Sequence, residues 1–576
     1  MENIENIVAV DEGGEAFIEL LNANGVDYIF LNPGTASVSI QEALSKFKAL
    51  GKRAPGVILS LHEFVALSAA HGYFMVSGKP QVVLVHLTLG TLQLGGALLN
   101  VQRGRAGVII CATRVPSSRE GKSPGMPPFP LHWIHEQFDQ SGTVRGYVKW
   151  EYELRSIETI HEVVQRAFQI ASTEPCGPAY LVLPQDLLGQ KMKEVRIPPV
   201  ARHGAASAPQ VDMALMEKVA AMLIEAEQPL IITGYSGRHP PAVGSLVELA
   251  ETLGARVITS QYYMNFPTTH PLCGGFGPES YFKDADVIFV IDHDVPYIPA
   301  RANLKPDAKL IHFDIDTVKP NFPTWGFAAD ILAECDSSKA LPLLSQMIRQ
   351  RATPEDKTRF QARFLRLQGE HQKQREQSQN LAMTRANQKP ISGDWLCRCL
   401  AEVIDDDTIV VEEAVTNRFA VLRHIPRTKP GTFFTSEGSS LGWALGAALG
   451  AKLASPNSTV VTLVGDGTFV FGSPVSALWA ANAYHAPFLC VVFNNRVYNA
   501  PKGALRGTYG KESFSEKTGL YIGVDIKPSP DYARIGQACG GYGQVVEDPE
   551  DLKPTLANAI KKVRQGIPAV VDVRIE

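Results

Sequence analysis

Hydrophobic positions come in short unbroken runs separated by longer stretches of helical spacing. YIFLN (28–32), GVILSL (56–61), QVVLVHL (81–87), GVIICAT (107–113) and AYLVLP (179–184) are continuous rather than alternating. Strands buried on both faces of a parallel sheet read this way. Between them lie segments of helical spacing such as EFVALSAAHGYFMV (63–76). The alternation predicts α/β architecture with right-handed crossover helices. A first block is expected over 1–190, followed by a Pro- and Ala-rich linker, IPPVARHGAASAPQ (197–210). A second α/β block, 211–347, carries PLIITG (229–234), DVIFVID (286–292) and AKLIHFDID (308–316). A Gln-, Arg-, Lys- and Glu-rich stretch, about 349–389, reads as a solvated helical connector. The third block runs over 391–576. The fold class is thus α/β, with three doubly wound parallel-sheet domains.

Composition narrows the function. The 576 residues are 45% hydrophobic and 20% charged, enough for several cores and unlike a disordered chain. Fifty-five basic against 59 acidic residues give a net charge of -4, which argues against nucleic acid as a partner. Eight cysteines, with only Cys397 and Cys399 close together, fit reduced buried thiols rather than a disulfide or zinc scaffold. No run approaches the ~18 apolar residues of a spanning helix. The acidic start MENIENIVAVDEGGEAF does not read as a signal peptide. A cytoplasmic protein without a membrane partner is expected.

The chemistry concentrates in the third block. TVVTLV (459–464) runs into Gly465-Asp466-Gly467-Thr468, a helix follows from about Pro474 to Tyr484, and PFLCVVF (487–493) ends at Asn494-Asn495. In one βαβ unit both strand ends face the same crevice, where ligands of open α/β sheets bind. Asp466 offers a carboxylate, Asn495 an amide oxygen and Val497 a backbone carbonyl, which suits Mg²⁺. Gly465 and Gly467 permit close backbone approach, and the amides around Thr468 favour phosphate oxygens. The plainer reading of Gly-Asp-Gly is a tight turn with a capping aspartate.

Gly-Asp-Gly followed after 26 residues by Asn-Asn resembles the thiamine diphosphate motif of the acetolactate synthase and benzoylformate decarboxylase superfamily. The spacing is slightly long, through extra residues near Gly472-Ser473-Pro474. FLNPGTAS (30–37), LSLHEFVALSAAHGYFMVSGKPQVVLVHLTLGT (59–91) and EPCGPAYLVLPQD (174–186) are similar to the family's pyrimidine-binding domain. TSQYYMNFPTTHPLCGGF (259–276) is similar to its central domain, and TSEGSSLGWALGAALGAKLASP (435–456) precedes the diphosphate-binding motif.

The resemblance implies thiamine diphosphate and Mg²⁺ as cofactors, and a homodimer or homotetramer with active sites at the subunit interface. Glu63 matches the glutamate that bonds the pyrimidine and promotes proton loss from the thiazolium C2. Leu441 matches the residue that wedges the cofactor into its bent form, and the Ser439 carbonyl would accept from the cofactor's amino group. Val415 and Thr416 join Gly465, Asp466, Gly467, Thr468 and Asn495 as expected cofactor contacts. Thr35, His86 and Ala500 match substrate-pocket positions, with Thr35 and His86 as catalytic candidates. His86 is otherwise a hydrogen-bonded structural histidine. The second catalytic histidine of benzoylformate decarboxylase has no counterpart, since His293 does not align with it, and the histidines of HWIHE (132–136) read as loop or surface residues. The expected activity is decarboxylation or carboligation of 2-oxo acids. The alternatives are a 2-hydroxyacyl-CoA lyase or oxalyl-CoA decarboxylase, for which no basic nucleotide groove is visible, and a catalytically silent cofactor-binding homologue.

Overall fold

The computed structural model describes residues 6–117, 130–199, 202–260 and 262–576. The first five residues, and Val200 and Ala201 of the expected linker, lie outside them. In chain order the first strands are β1 (Asn6–Ala9), β2 (Tyr28–Leu31), β3 (Gly56–Leu59), β4 (Gln81–Val85), β5 (Val108–Arg114), β6 (Trp150–Glu153), β7 (Ala179–Pro184) and β8 (Glu194–Ile197). β2 to β7 form one parallel sheet in the order β3-β2-β4-β5-β7-β6. Every residue of β4 and β7 is buried, as continuous apolar runs require. β1 and β8 pair antiparallel beside it.

The central strands are β9 (Pro229–Thr233), β10 (Arg256–Thr259), β11 (Val287–Ile291), β12 (Lys309–Asp314) and β13 (Ile331–Glu334). They form a parallel sheet in the order β10-β9-β11-β12-β13. The third set comprises β14 (Ile409–Glu413), β15 (Phe433–Thr435), β16 (Val460–Gly465), β17 (Leu489–Asn494), β18 (Tyr542–Val546) and β19 (Ala569–Arg574).

By compactness the chain divides into two units. The first contains residues 1–206, 436–545 and 558–572, and the second 207–435, 546–557 and 573–576. The first unit holds the β2–β7 sheet together with the run β16-β17-β19-β18 of the third sheet. The second holds the central sheet and the parallel pair β14 and β15.

Two helices join the parts of the first unit, Glu63–Ser77 and Trp443–Ala454. Both are almost wholly buried. They approach closely through glycine. A Cβ on Gly72 would lie 2.6 Å from the Ala447 Cα, and one on Gly446 would lie 2.6 Å from the Ser68 Cβ. One on Gly450 would lie 2.7 Å from the Ala69 carbonyl carbon and 2.8 Å from the Tyr73 nitrogen. In the same seam the Trp443 indole N–H donates to His71 Nδ1 at 3.0 Å.

The expected connector, about 349–389, is mostly the long helix Pro354–Thr384, which follows the end of the helix Ser337–Arg351. The break falls where Thr353 and Asp356 form a reciprocal capping box and Pro354 occupies the first turn. The long helix is mostly solvated, but one stripe is not: Phe360 and Leu367 join the central core. The buried Arg363 guanidinium donates to the carbonyls of Ala226, Leu253 and Glu227. No helix among the described residues is long and apolar enough to cross a membrane.

Candidate functional site

β16 and β17 are parallel neighbours with Gly465 opposite Phe493, so Asp466 and Asn495 leave adjacent strand ends on the same side. This is the placement expected from the βαβ reading. Asp466 opens the short helix Asp466–Phe471 and is buried. Its Oδ1 accepts from the Gly467 N–H at 2.8 Å, and its Oδ2 accepts from the Arg496 N–H at 2.6 Å. Burial raises the Asp466 carboxyl above the usual carboxylate value, and the backbone donors pull the other way. No cationic side chain pairs with it among the described residues.

The Asn-Asn dipeptide divides its work. Asn494 turns inward and donates to the buried Asp572 carboxylate at 2.8 Å. Asn495 stays half-buried at the strand end, and its Oδ1 accepts from the Val497 N–H at 3.1 Å. Gly467 is required by close approach, because a Cβ there would lie 2.9 Å from Cδ1 of the Tyr498 ring. Gly465 faces open space apart from the Thr468 hydroxyl. The extra residues at Gly472 and Ser473 break the chain between the helices Asp466–Phe471 and Pro474–Ala483, with Ser473 at φ 49°. Gly472 packs on Gly442, where a Cβ would lie 2.6 Å from the Gly472 Cα.

The loop before the helix Trp443–Ala454 presents Ser439, exposed and at φ 54°, and the half-buried Leu441. Asn100 clamps this loop from both sides. Its Nδ2 donates to the Ser440 carbonyl at 2.9 Å, and its Oδ1 accepts from the Ser440 N–H at 3.0 Å. Sequence reasoning missed Asn100, since nothing in its neighbourhood marks a residue 340 positions from its partner.

Glu63 is buried as the first residue of its helix, after His62 caps the Phe64 N–H at 3.1 Å. Its Oε1 borders Gly90, where a Cβ would lie 3.0 Å away. His86 follows β4 directly and is half-buried, with its ring lying on Gly34 so closely that a Cβ there would overlap it. Thr35 is exposed in the turn Thr35–Ser37, and Ala500 is exposed near the start of the helix Asn499–Tyr509. Val415 and Thr416, exposed in the turn Val415–Asn417, belong to the second unit, while the other expected site residues belong to the first.

Within HWIHE, expected on a loop or surface, His132 departs from that place: it is buried in the short helix Leu131–Ile134, while Trp133 and Ile134 are exposed. His135 stands against His86, ring centroids 6.1 Å apart with planes at 85°. The cysteines Cys397 and Cys399 are buried free thiols. Among the described residues no cluster of three or more His, Cys, Asp or Glu side chains gathers to hold a metal.

Comparison with known proteins matches all three blocks to one family. Residues 11–143 match the "Thiamine pyrophosphate enzyme, N-terminal TPP binding domain", 216–332 its central domain and 414–573 its C-terminal TPP binding domain. A probable acetolactate synthase large subunit from Methanocaldococcus jannaschii is 26% identical over 98% of this chain and 92% of its own length. Benzoylformate decarboxylase from Pseudomonas aeruginosa is 25% identical over 97% of this chain and 98% of its own. The crystal structure of benzoylformate decarboxylase from Polynucleobacter necessarius shares the fold with a TM-score of 0.80 at 23% identity, covering 98% of this chain and 99% of that one.

Proposed function

Because the chain belongs to the thiamine pyrophosphate enzyme family, we propose that it is a thiamine diphosphate- and Mg²⁺-dependent decarboxylase or carboligase acting on 2-oxo acids. The observation that carries the cofactor reading is Asp466. A buried carboxylate supported only by backbone amides is costly unless a cation joins it. Asp466, the Asn495 amide oxygen and the Val497 carbonyl form an all-oxygen set of the kind Mg²⁺ takes together with phosphate oxygens. The residues present therefore fit the group.

When bound, thiamine diphosphate supplies a nucleophilic carbon for the substrate carbonyl and an electron sink for decarboxylation. The chain's own part is orientation and proton handling. Asp466, Asn495 and the Val497 carbonyl would hold the metal ion, and the amides around Thr468 would favour diphosphate oxygens. Leu441, in the loop that Asn100 clamps through Ser440, would pack against the cofactor, and the Ser439 carbonyl would accept from its amino group. Glu63, in a buried setting, would hydrogen-bond the pyrimidine and hold or release a proton there. His86 handles protons at the substrate end, with Thr35 and Ala500 beside the substrate.

Assembly is part of this reading. Leu89 and Leu92 follow His86, and Val470, Phe471 and Val475 follow the Gly-Asp-Gly turn, all exposed. Apolar side chains flanking both halves of a site suit burial against a second copy. The reading is therefore a homodimer or homotetramer with the active site between subunits.

The deciding experiment is a screen of reconstituted protein for CO₂ release from a panel of 2-oxo acids, with and without acceptor aldehydes. Turnover that needs both thiamine diphosphate and Mg²⁺ is expected. Failure of every 2-oxo acid with cofactor demonstrably bound would refute the substrate class.

A further inference from the structure

His86 and His135 are 49 residues apart in sequence, yet their rings meet edge to face. The meeting is built. β4 pairs with β5 in parallel, Val85 opposite Ala112, so His86 and Arg114 leave neighbouring strand ends. Arg114 binds Glu136 and Glu153 and donates to the Gln137 carbonyl at 3.1 Å. The Gln140 side-chain amide donates to the Thr113 carbonyl at 3.1 Å and the Tyr180 hydroxyl at 3.2 Å. These bonds fix the segment that carries His135 to the end of β5. The His86 ring also lies on Gly34, where a Cβ would overlap it. His86 Nδ1 is buried with no hydrogen-bond partner among the described residues.

We propose that His135 is a positioning residue for proton transfer: with His86 it forms a two-imidazole unit that holds a single proton and exchanges it, through His86, with the substrate. The proposal rests on the reading of His86 given above. Two imidazolium ions at this distance repel, so a second proton on the pair is disfavoured. Burial first, and the charge on His135 second, hold His86 below the usual imidazole range. The other ionisable groups nearby are accounted for. Arg114 is neutralised by Glu136 and Glu153. His132 is buried beside Trp133, and Glu63 borders Gly90 on the helix that His86 caps.

The test is an NMR titration of the histidine rings in the cofactor-free full chain, for wild type, H135N, H135Q, H135K and H86N. In H135N and H135Q the His86 midpoint should rise by about 0.5–2 pH units, the Coulomb range for two charges 6.1 Å apart at effective dielectric constants of about 80 to 20. H86N removes the His86 signal and so assigns it. H135K, which puts a lasting positive charge in place of the ring, should bring the His86 midpoint down again. In holoenzyme the acid limb of the kcat profile should move with the His86 midpoint while KM holds. An unmoved His86 midpoint in both H135N and H135Q overturns the pair, even if the enzyme decarboxylates 2-oxo acids. A moved midpoint with an unmoved kcat profile overturns its part in proton transfer. Coupled titration in a chain that turns over no 2-oxo acid refutes the functional reading and supports the pair.

Discussion

Replacing Gly450 by alanine sets two effects of opposite sign against each other. In a helix interior alanine is favoured over glycine by about 1 kcal/mol, so propensity alone predicts a more stable protein. Packing predicts the reverse. The added methyl would lie 2.7 Å from the Ala69 carbonyl carbon and 2.8 Å from the Tyr73 nitrogen, and closer still to the Ala69 oxygen. These are backbone atoms of the facing helix, so no side-chain rotation relieves the overlap and the helices must part. Overpacking of a tight core costs about 1–3 kcal/mol, and a backbone clash belongs at the upper end. The net expectation is a loss of about 2 kcal/mol. Gly503→Ala is the control. Gly503 sits in the helix Asn499–Tyr509 with nothing within 4 Å of its Cβ position, so propensity should act alone there and stabilise by about 1 kcal/mol. Urea unfolding followed by far-ultraviolet circular dichroism separates the two: the midpoint should fall for G450A and rise for G503A. A G450A midpoint at or above wild type would refute the packing argument.

Three further outcomes follow from the site and the seam. Glu63→Gln should abolish hydrogen–deuterium exchange at the cofactor C2 while calorimetric cofactor binding is kept, and wild-type exchange would remove Glu63 from that role. Asp466→Ala should weaken thiamine diphosphate and Mg²⁺ retention by at least tenfold, about 1.4 kcal/mol, and undiminished calorimetric affinity would exclude it as the anchor. His71 gives a pH dependence: burial lowers its imidazole to about 3 from an ordinary 6.5, so the folded ring stays neutral while the unfolded ring takes a proton. Its contribution is therefore present above pH 6.5 and is lost as pH falls from 6.5 toward 3, at up to about 1.4 kcal/mol per pH unit. His71→Gln, which can still accept from the Trp443 indole, should flatten urea-midpoint-versus-pH curves between those limits.

What could be read from the chain depended on how local the cause was. The strands of the parallel sheets were legible because burial on both faces writes itself as an unbroken apolar run, as in Gln81–Val85 and Ala179–Pro184. The Gly-Asp-Gly turn and Asn495 were legible as neighbours because one βαβ unit has one handedness. The role proposed for Glu63 rests on family resemblance; its residue type and helix-start position alone allow a plain dipole-favouring acid. Contacts set by tertiary packing left fainter marks. Gly446 and Gly450 stand four residues apart, which puts them on one helix face, and that spacing could have announced the seam. Arg363 was hidden among the charges of a solvated-looking helix, and only its three carbonyl partners explain its burial. His135 carried no local signal at all, since its position depends on Arg114 holding Glu136.

The make-up of the first unit has a consequence for synthesis. Residues up to Ala206 leave the ribosome 230 positions before Ser436, which resumes the same unit. At about 5–20 residues per second that is a delay of roughly 10–45 s. Throughout it the Glu63–Ser77 helix, apolar on nearly every side, lacks the partner that later covers it. Slowing elongation between the two parts should therefore increase aggregation of the nascent chain, not relieve it.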